Sequence, residues 1–362
     1  MRTLSAWLLN FLLLVVTAQA HAYSAMYVFG DSLSDNGNNQ ALLVTTLGFP
    51  ATEAPYKVLN SNEPLVPLTP YAVPAGTHTY SNGRVWVDYL ADSLGLPLAP
   101  SLLGGTNFAY GGARTGDLGL GDGNGLQPNS LLTQVGFAVD PPPASLPGAA
   151  LYVVWGGGND IRALGEKFGP KLSDPDPTVR LQAAADLQAG LGAGIANLGS
   201  TLNTLADAGA RNFLVPNLPD LGITPIARFL EDNGQLGTMD LLTSLASAYN
   251  QGIVSLLAPL QSNPLFSVTT LDIFAFNHAV LATAPAGYNG ITACTSENSF
   301  TGCSNPQDFL YWDGVHPTTA SHRAIASLAL RALQPVPLPA SLPLAVGGFV
   351  MLLSIARRRR AA

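Results

Sequence analysis

Charge is scarce in this chain. Only 11% of its 362 residues are Asp, Glu, Lys or Arg, against 47% hydrophobic. Five of the 16 basic residues are Arg2 and Arg357 to Arg360 at the two ends, so the body between has fewer than half as many basic as acidic residues. A body without a basic stripe does not hold a nucleic-acid backbone, which excludes nucleic acid as a partner. Cysteine is scarcer still. Cys294 and Cys303 have no nearby pair of histidines and make no zinc site. In an oxidising compartment they would close one small disulfide loop. The Gly-x-Ser-x-Gly elbow, His-Glu-x-x-His and the Walker loop are all missing, and no internal repeat is visible. With 37 glycines and 28 prolines, the composition is that of a globular protein with long punctuated connections, not of a disordered one.

What is present starts at the ends. Met1-Arg2-Thr3, the apolar run Leu8 to Val16 and Ala18-Gln19-Ala20-His21-Ala22 have the layout of a secretory signal, with cleavage fitting after Ala20 or Ala22. The apolar run is short for a membrane span. At the other end Pro335 to Pro339 breaks the chain, Ala340 to Ala356 is uncharged and mostly apolar, and Arg357 to Arg360 follow. That run is at the lower limit for a bilayer span, and arginines beyond it favour a cytoplasmic end with the body outside. The expected layout is a signal peptide at 1–22, one domain at 23–333 and a membrane-directed tail at 334–362.

Between the ends, strands alternate with helices. Apolar runs at Ala25–Phe29, Asn107–Tyr110, Leu151–Trp155, Asn212–Val215 and Phe266–Phe274 read as strands. Helical spacing runs through Arg84–Leu94, Leu131–Val139, Pro177–Ala208 (with an interruption near Gly190 to Gly194), Thr238–Leu260 and Thr318–Leu333. Ala41 to Thr79, rich in Pro and Thr, reads as a surface excursion, and Gly116 to Gly125 as a loop. The alternation predicts an α/β sandwich around a parallel sheet.

In such a sheet, ligands bind beyond the carboxyl ends of the strands. Ser32 follows the first strand across Gly30-Asp31, where it is either a nucleophile or a helix cap. A serine nucleophile needs a base. Of five histidines (His21, His78, His278, His316 and His322), only His316 has a carboxylate three positions upstream, Asp313, in a loop tightened by Gly314 and Pro317. His278 and His322 lie on helical segments with no acid nearby in sequence. Asp313 would orient one ring nitrogen and leave the other for Ser32. Gly105 and Asn159, with the Ser32 N–H, would supply donors for an oxyanion.

Four blocks in order resemble those of the GDSL (SGNH) esterases and lipases: Phe29-Gly30-Asp31-Ser32-Leu33-Ser34-Asp35, Gly105-Thr106-Asn107-Phe108-Ala109, Gly157-Gly158-Asn159-Asp160 and Asp313-Gly314-Val315-His316-Pro317-Thr318. The resemblance implies a flavodoxin-like three-layer α/β/α fold with a mainly parallel sheet, and hydrolysis of carboxylic esters without metal or organic cofactor. It maps the nucleophile onto Ser32, the acid–base pair onto Asp313 and His316, and the oxyanion donors onto Asn159 and Gly105, the latter from the Gly-x-Asn-Phe-Ala register. The tail is similar to the PEP-CTERM sorting signal, with Leu338 where that name implies Glu, and so implies an exosortase-type processing enzyme as a partner. The expectation is an exported serine hydrolase of lipid, acylated-sugar or small esters, anchored in the envelope or released after processing. The alternatives are an acyltransferase using the same triad and a non-catalytic envelope or matrix binding protein.

Overall fold

The computed structural model describes residues 23–47, 78–120, 130–140, 145–295 and 303–334. The expected secretory signal, most of the Pro/Thr-rich excursion and the arginine-ended tail lie outside them. The elements are β1 (Met26–Gly30), α1 (Asn38–Leu47), α2 (Trp86–Leu94), α3 (Leu131–Val139), β2 (Leu151–Trp155), α4 (Gly158–Leu172), α5 (Pro177–Asp207), β3 (Asn212–Pro216), α6 (Pro225–Asp232), α7 (Thr238–Ser262), β4 (Ser267–Leu271), α8 (Ile273–Thr283), β5 (Asn289–Ala293), β6 (Phe309–Tyr311) and α9 (Thr319–Leu333).

Strands β1 to β4 pair in parallel, in sequence order. Both faces of the sheet are covered, which is why β1 and β2 read as unbroken apolar runs. Alternation sorts their side chains. Phe29, Tyr152, Val154, Phe213 and Val215 pack against α5 and α7 through residues such as Leu198, Leu202 and Tyr249. Met26, Val28, Val153, Trp155 and Leu214 meet Leu90 of α2 and Ile325 and Ala329 of α9 on the other face. The result is the expected three-layer α/β/α sandwich.

The Asn107 segment is less than the strand expected. It makes two isolated parallel bridges, Asn107 to Val28 on the outer edge of β1 and Asn107 to Pro100. Its backbone is still held: Phe108 N–H donates to Val28 O at 2.7 Å and Tyr110 N–H to Gly30 O at 3.2 Å. The chain therefore leaves β1 on one side and returns to β2 on the other. That reversal makes the carboxyl end of β1 the switch point of the sheet.

Three other readings change. Helix α5 runs unbroken through Gly190 and Gly194. Phe266–Phe274 splits into β4 and α8, because Asp272 caps α8 by accepting the Ala275 N–H at 2.9 Å. The start of the surface excursion is helical, as part of α1. Cys294, after β5, is bonded to Cys303 with Cα atoms 5.0 Å apart. Among the described residues no helix is long and apolar enough to cross a membrane.

Candidate active site

Gly30 ends β1 so close to its neighbour that a Cβ there would lie 2.7 Å from Trp155 O. The Gln134 side chain of α3 clamps Gly30 at both backbone groups, accepting its N–H at 2.8 Å and donating to its C=O at 2.7 Å. The turn that follows is fixed from inside. Asp35, fully buried, accepts the N–H groups of Gly37 (2.8 Å), Asn38 (2.7 Å) and Gly111 (2.9 Å). Burial nevertheless pushes its carboxyl up to about 6. Asn107 donates to Ser34 O and Asn36 Oδ1, both at 2.8 Å. Ser32 thus stands on a turn with little freedom.

The structure brings Ser32, His316 and Asp313 together. Ser32 Oγ lies 2.8 Å from His316 Nε2, and His316 Nδ1 lies 2.8 Å from Asp313 Oδ2. The other Asp313 oxygen accepts the N–H groups of Val315 (2.9 Å) and His316 (2.7 Å), so one carboxylate sets both the loop and the ring. All three residues are buried: Ser32 is 8% exposed, His316 4% and Asp313 1%. Tyr80 leans over the His316 ring with centroids 5.3 Å apart. A Cβ on Gly111 would overlap the Tyr80 ring, so only glycine leaves room for it.

Asn159 is the second residue of α4 and lines the same cleft as Ser32 and His316. Its Nδ2 donates to Ala113 O at 2.9 Å, which leaves a second amide hydrogen for the cleft. Gly105 is not there. Its N–H donates to Pro100 O at 3.0 Å, and a Cβ on it would lie 2.1 Å from Ala99 O. The assignment of Gly105 as an oxyanion donor is therefore corrected: it is glycine for close backbone approach. The physical reason is strand direction. The segment runs parallel to β1, so Gly105 lies at its entry, while the end beside Ser32 is Gly111-Gly112. Gly111 N–H is engaged by Asp35, and Gly112, at φ +79°, lines the cleft. The signal that finds Gly112 is the rule that ligands lie beyond the carboxyl ends of parallel strands.

Two more carboxylates, Asp31 and Asp160, went unnoticed in the sequence. Burial pushes Asp31 up to about 6, with the charge of Asp160 adding to the rise and the Leu33 N–H and His316 opposing it. Burial also pushes Asp160 up to about 6, against hydrogen bonds from Thr115. The other histidines separate by environment. His322 is wholly buried, and burial followed by the charge of His316 lowers it to about 3. His322 Nδ1 accepts the Trp86 N–H at 3.3 Å. His278 does find an acid, Asp220 at 2.9 Å, which sequence distance had hidden. Among the described residues no group of three His, Cys, Asp or Glu could hold a metal ion.

A serine whose base is oriented by a buried carboxylate, at the switch point of a three-layer sheet, is the site of a serine hydrolase. The family model for the GDSL-like lipases and acylhydrolases matches residues 26–329. The chain belongs to that family and is a GDSL-type carboxylic ester hydrolase. GDSL esterase/lipase 5 of Arabidopsis thaliana is 24% identical over 340 residues, covering 84% of this chain and 82% of that one. Lipase 1 of Photorhabdus luminescens is 30% identical over 226 residues, 62% of this chain and 27% of that protein. Among solved structures, a catalytic mutant of an acetylxylan esterase from Geobacillus stearothermophilus aligns at 15% identity and a TM-score of 0.38. The alignment covers 87% of this chain and 96% of that one.

Proposed function

We propose that the chain is an exported serine esterase that hydrolyses carboxylic esters through an acyl-enzyme on Ser32. The observation that carries this is the relay from Ser32 through His316 to Asp313, at 2.8 Å in each step. His316 takes the Ser32 proton as Oγ attacks the ester carbonyl, then gives it to the leaving alcohol. Asp313 holds the tautomer and stabilises the imidazolium. Water repeats the attack with His316 as base and releases the acid. Asn159, Gly112 and the Ser32 N–H are the oxyanion donors in this reading. A binding protein has no use for such a relay; an acyltransferase would use the same first step and replace water by an alcohol.

Ser32→Ala tests the reading. A folded variant should lose several orders of magnitude in kcat, and His316→Ala combined with it should cost little more, since the two act as a unit. Near-normal turnover of folded Ser32→Ala would sink the assignment.

Export rests on the layout of residues 1–22, and it suits the Cys294–Cys303 disulfide. Residues 23–333 form the catalytic body in this proposal. The tail beyond Gln334 addresses it to the membrane or, through its proline motif, to an exosortase-type enzyme that would release it into the matrix. A chain truncated after Gln334 should be secreted soluble with unchanged kcat, while the full chain fractionates with membranes unless it is cut near Pro339. The mass of the mature protein separates an anchor from a sorting signal. Loss of activity on truncation would place the tail in the fold.

A further inference from the structure

The cleft continues well past the triad. From Ser32, beyond β1, it passes Trp155 at the end of β2 and Leu218 beyond β3, and reaches Ile273 and Asn277 on α8, which follows β4. Three strand spacings of about 4.8 Å separate β1 from β4, so this arm is about 14 Å long. Its walls are mostly apolar, Trp155, Leu218, Leu221, Ile226 and Ile273, with Thr224 among them.

Its far end is not. Asn277 is one helical turn beyond Ile273 and so lies on the same face of α8. It is 7% exposed, it lines the cleft, and its side chain makes no hydrogen bond with any described residue. Asparagine is a poor choice for a helix interior, and an amide that opens onto the cleft with no partner among the described residues is available to a ligand. The Tyr311 hydroxyl, from a residue lining the same cleft, is also buried without a partner among the described residues. Burial raises its pKa, the charge of Asp220 adds to the rise, and Asp220 also holds His278, the neighbour of Asn277. The end of the arm thus offers the uncharged Asn277 amide. A hydroxyl suits it, because an amide offers both donors and an acceptor, and a hydroxyl both gives and accepts.

We propose that Asn277 is a specificity-determining residue that binds a hydroxyl at the end of an otherwise apolar arm of the ester, about 14 Å from Ser32. This rests on the esterase reading and names its substrate class: esters with a medium-length ω-hydroxyalkyl arm. The amide tells a hydroxylated arm from a plain one because a plain arm buries the amide unpaired.

The test compares p-nitrophenyl alkanoates of graded chain length with their ω-hydroxy counterparts. The same comparison is made for acetates of alkanols and α,ω-alkanediols. In one of the two series the hydroxy-to-plain ratio of kcat/KM should peak at about tenfold, at the length that reaches α8. A peak in the first series places the acyl group in the arm, and a peak in the second places the alcohol there. In Asn277→Leu the peak should vanish as plain esters gain on hydroxylated ones. In Asn277→Gln, whose amide reaches further into the cleft, it should move to a shorter chain. A flat ratio in both wild-type series, or a peak unmoved in Asn277→Leu, overturns the proposal. The wild-type scan decides even if neither variant folds. Wild-type turnover of p-nitrophenyl acetate, too short to reach α8, separates the two readings: without it the esterase reading fails, and with it a flat ratio removes only the role of Asn277.

Discussion

Gly105 and Gly112 stand at opposite ends of one segment and do different work. Gly112→Ala puts a side chain at φ +79° beside the cleft and, if its N–H is the oxyanion donor proposed, kcat should fall about 10²–10³-fold with KM little changed. Gly105→Ala forces a Cβ into Ala99 O and should cost about 1–3 kcal/mol of stability, with kcat per folded molecule untouched. Steady-state kinetics beside denaturant unfolding separates the two; the reverse pattern would restore Gly105 to the oxyanion hole. The contrast also shows how legible the site was. Asp313 and His316 were readable because they share one short loop, and Ser32 because it follows an obvious strand. The glycine was misplaced because a motif has no direction in space until its strand is paired, and pairing to β1 decides which end faces the ligand. His278 was misjudged for a related reason, since Asp220 reaches it through the fold and not along the chain.

Helix α5 shows the same limit one level up. Its glycines read as an interruption because glycine weakens an isolated helix. In the folded chain they are where neighbours come close: a Cβ at Gly190 would lie 2.3 Å from Leu164 of α4, and one at Gly199 2.9 Å from Leu256 of α7. Gly192 faces nothing within 4 Å. Gly190→Ala should therefore destabilise by about 1–3 kcal/mol, while Gly192→Ala should stabilise by about 0.5–1 kcal/mol. Urea unfolding midpoints read both. Equal effects would mean that α5 does not pack on α4 as described. Helix α4 escaped the sequence reading, and the start of α8 was absorbed into the strand before it, because each begins immediately after a strand, behind a glycine run in one case and a lone aspartate cap in the other. Periodicity is hard to see where one repeat gives way to another without a loop between. The sheet was legible because strands buried on both faces leave unbroken apolar runs.

At the scale of the molecule, buried ionisable groups set the response to pH. Asp31, Asp35 and Asp160 titrate at about 6 when folded, against ~3.9 for a free aspartate. The native state holds these protons more tightly, so their contribution is complete below about pH 4 and is lost as pH rises through about 6. His322 acts the other way. Lowered to about 3 from ~6.5, its contribution is lost as pH falls through that window. Burial raises Asp88 as well, so between about pH 4 and 6 four buried carboxylates oppose one histidine, and the melting temperature should rise as pH is lowered from about 7 to about 5. Asp35→Asn should flatten that rise, and a fall instead would show that the carboxylates are not protonated in the native state. In the proposed reaction His316 takes the Ser32 proton as general base. The two halves of that proton transfer are 284 residues apart, one on the turn after the first strand and the other just before the last helix. A growing chain carries its nucleophile from the start and meets its base only when almost the whole body has been made. On the proposed mechanism the enzyme is silent throughout its own synthesis, and a copy clipped before His316 is inert, not partly active: turnover certifies a finished molecule.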